Sequence, residues 1–183
     1  MRPELVLLDR DGTLNVPVGT RRYVVDPAEV DLLPGAADAV RRLNDAGVPV
    51  VVVTNQRGVG TGVMTGEQLT AVHDAIADQL AASGAHVDGW YVCPHDVDAC
   101  DCRKPLPGLV LQALAARPGV RPGRCVLVGD SEGDVVAARA AGVPGLLLAA
   151  LPPTRTVARA VLPSLADAVR WILRDDDDTV TAG

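Results

Sequence analysis

LVLLDRDGTLN, residues 5–15, sets four consecutive apolar side chains ahead of two carboxylates that flank an arginine. A run that is apolar at every position, not at every second one, suits a strand of a parallel sheet covered on both faces. The pattern recurs in VPVVVVTN (48–55), VDGWYVC (87–93), RCVLVGD (124–130) and GLLLA (145–149). Helical patterns occupy 35–46, 65–83, 107–117 and 133–141, and a last helix is expected over 164–174. Their ends carry the usual signals: Thr65 with Gln68 as a capping box, Pro107 in a first turn, and glycines at 47 and 142 past the last turn. Strands alternating with helices predict an α/β fold, a Rossmann-like parallel sheet with helices on both faces.

At 183 residues the chain fits one domain, expected over 1–174, with DDDDTVTAG (175–183) as an acidic, disordered tail. The irregular stretch 15–33 is long enough to predict a functional loop. With 48% hydrophobic residues but no Phe, two Trp and two Tyr, the interior must be built from Val, Leu and Ala. Net charge is −6, of which residues 175–178 supply four negatives, so the remaining chain is close to −2. That balance offers no basic surface for nucleic acid. No apolar run approaches bilayer length, and the N-terminus shows no export signal, so a cytoplasmic location with reduced thiols is expected. A monomer is expected, with an oligomer left open.

Open α/β sheets bind ligands beyond the carboxyl ends of their strands. Those ends deliver Asp9 and Asp11, then Thr54 and Asn55, then a cysteine-rich loop with Arg103 and Lys104, and finally Asp130. In an extended backbone Asp9 and Asp11 share a face while Arg10 points the other way. Their repulsion predicts a hard cation between them, magnesium being the natural choice, with Asp130 as a further oxygen. A plain Asp-Gly turn is the competing reading of the first carboxylates, and it leaves Asp130 unexplained.

Phosphoryl transfer fits this set. Asp9 can attack phosphorus, and Asp11 can protonate the leaving alcohol and then deprotonate the attacking water. Thr54, the backbone N–H of Asn55 and the Lys104 ammonium can cradle the equatorial oxygens. Asp134, one helical turn after Asp130, is a candidate for a metal-bound water or for orienting Lys104. A catalytically silent binding protein would predict loss of Asp9 or Asp11, and both are present.

CPHDVDACDC (93–102) gathers three of the four cysteines with a histidine. Cys93, His95, Cys100 and Cys102 have the composition of a closed, four-coordinate zinc site, and the competing disulfide reading suffers from the two-residue separation of Cys100 and Cys102. Such a zinc leaves no open position, so its expected role is to pin a loop and place Arg103 and Lys104. Cys125 is expected in the core, and His73 and His86 on helix surfaces.

LLDRDGTLN, VVVTNQRGVG, RKPLPG and LVGDSEGDVVAARAAG resemble, in order, the four motifs of the haloacid dehalogenase-like hydrolases. With YVVDPAEVDLLPGA and the CPH…CDCRKP loop, the chain resembles the D,D-heptose 1,7-bisphosphate phosphatases and histidinol phosphatases of that superfamily over about residues 5–148. The resemblance implies no large cap domain, Asp9 as nucleophile, Asp11 as general acid/base, and Thr54 and Lys104 on phosphate. It also implies magnesium on Asp9, Asp130 and the Asp11 backbone carbonyl, and structural zinc on the cysteine loop.

Arg57 stands where the heptose enzymes usually have serine. With Arg103 it favours a doubly anionic sugar substrate, D-glycero-D-manno-heptose 1,7-bisphosphate losing its 7-phosphate in nucleotide-activated heptose synthesis. Histidinol phosphate and broader sugar or polyol phosphates are the alternatives.

Overall fold

The computed structural model describes residues 2–18 and 23–174; the expected tail at 175–183 lies outside them. Its sheet has six parallel strands in the order β3-β2-β1-β4-β5-β6. These are β1 (Leu5–Leu8), β2 (Val50–Asn55), β3 (Trp90–Cys93), β4 (Cys125–Gly129), β5 (Gly145–Leu148) and β6 (Ala160–Leu162). The first five lie inside the expected runs. The order reverses at β1, whose neighbours are β2 and β4, and this is the switch point at which such sheets open a crevice.

The burial of β1 explains its composition. Leu5 and Leu7 face one layer with Val51, Val53 and Leu127, against α4 (Gly108–Ala115) and α5 (Glu132–Ala140). Val6 and Leu8 face the other with Val50 and Val52, against α1 (Ala36–Asp45), α3 (Gly66–Ala81) and α6 (Leu165–Ile172). All four β1 side chains are fully buried. At roughly 1.5–3 kcal/mol for each aliphatic side chain, both faces must be apolar for the strand to hold its central place.

Local signals set the helices. Thr65 caps α3, accepting from the Gln68 backbone N–H while Gln68 accepts from Thr65 N–H. A single-turn helix, α2 (Arg57–Gly60), follows β2 directly and was not expected from sequence. No helix among the described residues is long and apolar enough to cross a membrane.

Candidate active site and metal centres

Beyond β1 the chain turns sharply. The Arg10 carbonyl accepts from the N–H groups of Thr13, Leu14 and Asn15. Gly12 sits at φ +83°, and a Cβ there would lie 2.1 Å from Asp130 Oδ2. Only glycine permits this approach, which brings the β1 and β4 turns together. The second tight place is Gly129, where a Cβ would fall 2.4 Å from Asp134 Cγ.

Around this junction the carboxylate oxygens of Asp9, Asp130 and Asp134 lie within 4.8 Å of one another. Lys104 stands among them, its Nζ 2.7 Å from Asp9 Oδ1, 2.5 Å from Asp134 Oδ1 and 2.8 Å from the Val53 carbonyl. All three ammonium protons are thereby used. Asp134 is fixed from behind by the N–H and hydroxyl of Ser131.

Asp9 and the buried Asp134 share one ammonium while the more open Asp130 stands beside them, and the titration reflects the imbalance. Burial pushes the Asp9 carboxyl up, Lys104 pulls against it and Asp134 adds to the rise, leaving it at about 7. Asp130 is raised by burial and by the charge of Asp134. Burial works to lower the Lys104 pKa, but Asp9 and Asp134 outweigh it and raise it. Three hard oxygens gathered this closely suit a divalent cation.

A cleft of about 570 Å³ opens over this cluster, lined by Asp9, Asp11, Thr54, Arg103, Lys104 and Asp130, with Tyr23, Asn55, Ser131, Gly133 and Asp134 completing its wall. Thr54 is buried at the end of β2. The Asn55 side chain grips the Lys104 peptide, donating to its carbonyl at 2.9 Å and accepting from its N–H at 3.1 Å. Arg103 lines the cleft, and its Nη1 is buried with no hydrogen-bond partner. Tyr23 is not among the site residues expected from the sequence, although it lies within the 15–33 stretch whose length marked it as functional.

The structure does not bring Arg57 into this lining. Its guanidinium pairs with Asp96 of the cysteine loop, which holds the Asp96 carboxyl below its usual range.

Two expectations need correction. Arg10 does not point away from the carboxylates: it is fully buried and its fork returns onto Asp11, with Nη2 2.9 and 2.8 Å from the two carboxylate oxygens. Because β1 ends at Leu8, strand alternation no longer governs residues 9–11. The Asp9–Asp11 repulsion is therefore relieved by two protein cations, Lys104 on one and Arg10 on the other. The Asp11 carboxylate accordingly stands outside the three-carboxylate cluster.

His73 is likewise not on a helix surface. It is buried on the inner face of α3, stacked on Trp90 with ring centroids 4.2 Å apart, and its Nε2 lies 3.4 Å from Arg10 Nη1. A guanidinium only donates, so Nε2 must be the bare nitrogen. Burial, then the Arg10 charge, hold its pKa down at about 4. His86 is exposed, just beyond α3, and Cys125 is buried as expected.

At the end of β3 the Cys93, His95, Cys100 and Cys102 ligand atoms also gather within 4.8 Å. Sulfur separations are 3.6 Å for Cys93–Cys100 and 3.3 Å for Cys100–Cys102, with His95 Nδ1 3.3 Å from the Cys102 sulfur. These are free thiols, not disulfides. A tetrahedral ion with bonds of about 2.3 Å places sulfurs roughly 3.8 Å apart, near the spacing found. Burial and the adjacent thiols push Cys102 up to about 12. Burial also works to raise Cys100, but hydrogen bonds from Cys102 and the Arg103 backbone pull it to about 7. Three thiols and an imidazole gathered this closely are a donor set that suits a tetrahedral cation.

The family model for haloacid dehalogenase-like hydrolases matches residues 4–142, and the chain belongs to that family. Among its relatives, the D-glycero-alpha-D-manno-heptose-1,7-bisphosphate 7-phosphatase of Mycobacterium tuberculosis is 43% identical over 131 residues, 71% of this chain and 68% of that one. The D-glycero-beta-D-manno-heptose-1,7-bisphosphate 7-phosphatase of Yersinia pestis is 38% identical over 180 residues, 91% of this chain and 94% of that one. The D,D-heptose 1,7-bisphosphate phosphatase of B. bronchiseptica, solved with magnesium and phosphate, superposes with a TM-score of 0.80 at 35% identity, covering 93% of this chain and 98% of its own.

Proposed function

We propose that this protein is a magnesium-dependent phosphatase that removes the 7-phosphate of D-glycero-D-manno-heptose 1,7-bisphosphate through an aspartyl phosphate on Asp9. The observation that carries the reading is the Asp9 carboxylate on a cleft floor, beside Lys104 and within 4.8 Å of two further carboxylates. The names of the relatives supply the substrate class.

Asp9 attacks phosphorus as the bond to the sugar oxygen breaks, and Asp11 gives that oxygen its proton. Asp11 then takes a proton from the water that attacks the phosphoenzyme. An entering phosphate takes over one of the Lys104 bonds now made to Asp9, while Thr54 donates from the other side. Magnesium would sit on Asp9 and Asp130, with the Asp11 carbonyl as a further oxygen, and would neutralise charge on the transferring group. Asp134 orients Lys104. Arg103, a second cation on the cleft wall, receives the second phosphate. That extra cation favours a bisphosphate over histidinol phosphate, while Arg57, paired with Asp96, braces the cysteine loop instead.

Zinc on Cys93, His95, Cys100 and Cys102 fixes the loop that delivers Arg103 and Lys104. We propose that the enzyme is a cytoplasmic monomer whose catalytic domain spans 1–174.

The relatives include enzymes for both anomers, so the test compares kcat/KM for phosphate release from each anomer and from histidinol phosphate, with magnesium. One bisphosphate anomer should lead. A lead for histidinol phosphate would overturn the substrate reading.

A further inference from the structure

Arg10 is among the largest side chains of the fold with no exposed surface. Burying a guanidinium is costly unless its charge is met and its protons are used. Here the charge is met by Asp11, the residue that the proposed mechanism uses for proton transfer.

The grip on Asp11 is thorough. Oδ1 accepts from Arg10 Nε at 3.1 Å, Arg10 Nη2 at 2.9 Å and Asn15 Nδ2 at 3.0 Å. Oδ2 accepts from Arg10 Nη2 and from Gln56 Nε2, both at 2.8 Å. The side chain keeps 23% of its surface, and it lines the cleft. Donors thus crowd the inner side of the carboxylate and leave the cleft side to a ligand.

Gln56, itself fully buried, does a second thing: the same Nε2 donates to Thr54 Oγ1 at 2.9 Å. That contact occupies the Thr54 oxygen as an acceptor and frees its proton for the cleft. One amide therefore sets the directions of both Asp11 and Thr54. Behind Arg10, His73 accepts from Nη1 and is pinned by its stack on Trp90.

We propose that Arg10 and Gln56 are positioning residues that aim the Asp11 carboxyl at the leaving-group oxygen, with His73 as the backstop that sets the Arg10 fork. This rests on the phosphatase reading above. In the first step Asp11 loses its proton to the departing alcohol oxygen as the Asp9–phosphorus bond forms. The Arg10 fork then neutralises the carboxylate left behind, which regains a proton from the attacking water. Proton transfer by an aimed side chain is worth about 10²–10⁴-fold, and misaiming forfeits much of that.

The test uses the full chain with magnesium and a series of phosphate monoesters running from alkyl esters to p-nitrophenyl phosphate. Leaving-group release is followed in single turnovers for wild type, Arg10→Lys, Gln56→Met and Asp11→Asn. An aryl oxide needs no proton to depart, whereas an alkoxide does. Arg10→Lys should slow alkyl esters about 100-fold and p-nitrophenyl phosphate less than about 5-fold, with KM little changed. In the Asp11→Asn background the same substitution should cost less than about 3-fold, because the group it aims is gone.

Gln56→Met leaves no buried charge and should show the same leaving-group dependence more weakly, so the test survives poor folding of the arginine variant. Equal losses on alkyl and aryl esters, or losses that multiply with Asp11→Asn, would assign these residues a merely structural role and overturn the proposal. A wild type slow on the heptose bisphosphate but active on other alkyl phosphates would remove the substrate reading and leave this one standing. A wild type inert on every ester would end both.

Discussion

Asn55 and Lys104, 49 residues apart in the chain, hold one another through both polar groups of the asparagine side chain and both polar groups of the lysine peptide. The end of β2 is thereby tied to the residue whose ammonium touches Asp9. Asn55→Ala leaves a peptide N–H and carbonyl without partners and loosens the ammonium by a fraction of an ångström. The expected outcome is a loss of about 10–100-fold in kcat/KM with thermal unfolding little changed, read by steady-state kinetics beside a melting curve.

Gly12 should tolerate no side chain. Its φ of +83° and the 2.1 Å approach of Asp130 Oδ2 mean that Gly12→Ala strains the turn and displaces a carboxylate at once. Destabilisation of about 2 kcal/mol or more is expected, with a weakened response of activity to magnesium. Denaturant melts and a magnesium titration report the two effects separately.

Chelation or Cys102→Ser should remove a cation from four crowded ligands and release the loop that carries Arg103 and Lys104. The melting temperature should fall by about 10 °C or more, and kcat/KM should fall with it. Metal analysis of the purified protein should give one zinc per chain; none, with full activity, would contradict the assignment.

His73 makes stability depend on pH. Its pKa is held at about 4 in the fold, against about 6.5 when unfolded. Between those values the unfolded chain binds the extra proton, so stability is fully present above the upper value and is lost as pH falls toward the lower. The loss amounts to about 3 kcal/mol. His73→Gln should flatten that part of a stability-against-pH curve measured by denaturant melts.

Much of this was legible in the residues because parallel strands leave continuous apolar runs and end in whatever the site needs. Asp9, Thr54, Lys104 and Asp130 announce themselves in that way, and so does the cysteine loop. Strand β6 did not: three half-buried residues at a sheet edge carry no pattern of their own. His73 does carry a signal: Leu69, Val72, His73, Ile76 and Leu80 fall on one helical stripe and are all buried. Arg10 had none. A long side chain in a turn goes where its charge is met, and only the tertiary fold brings Asp11, His73 and Gln56 around it.

Which phosphate is lost, and by whose attack, is tested most directly by phosphorus NMR of heptose 1,7-bisphosphate turned over by wild type and by Asp9→Asn. The wild type should release one equivalent of inorganic phosphate and leave the anomeric phosphate signal intact, while Asp9→Asn, with its fold and zinc retained, leaves both phosphates in place. Loss of the anomeric phosphate, release of both, or continued turnover by Asp9→Asn would contradict the account.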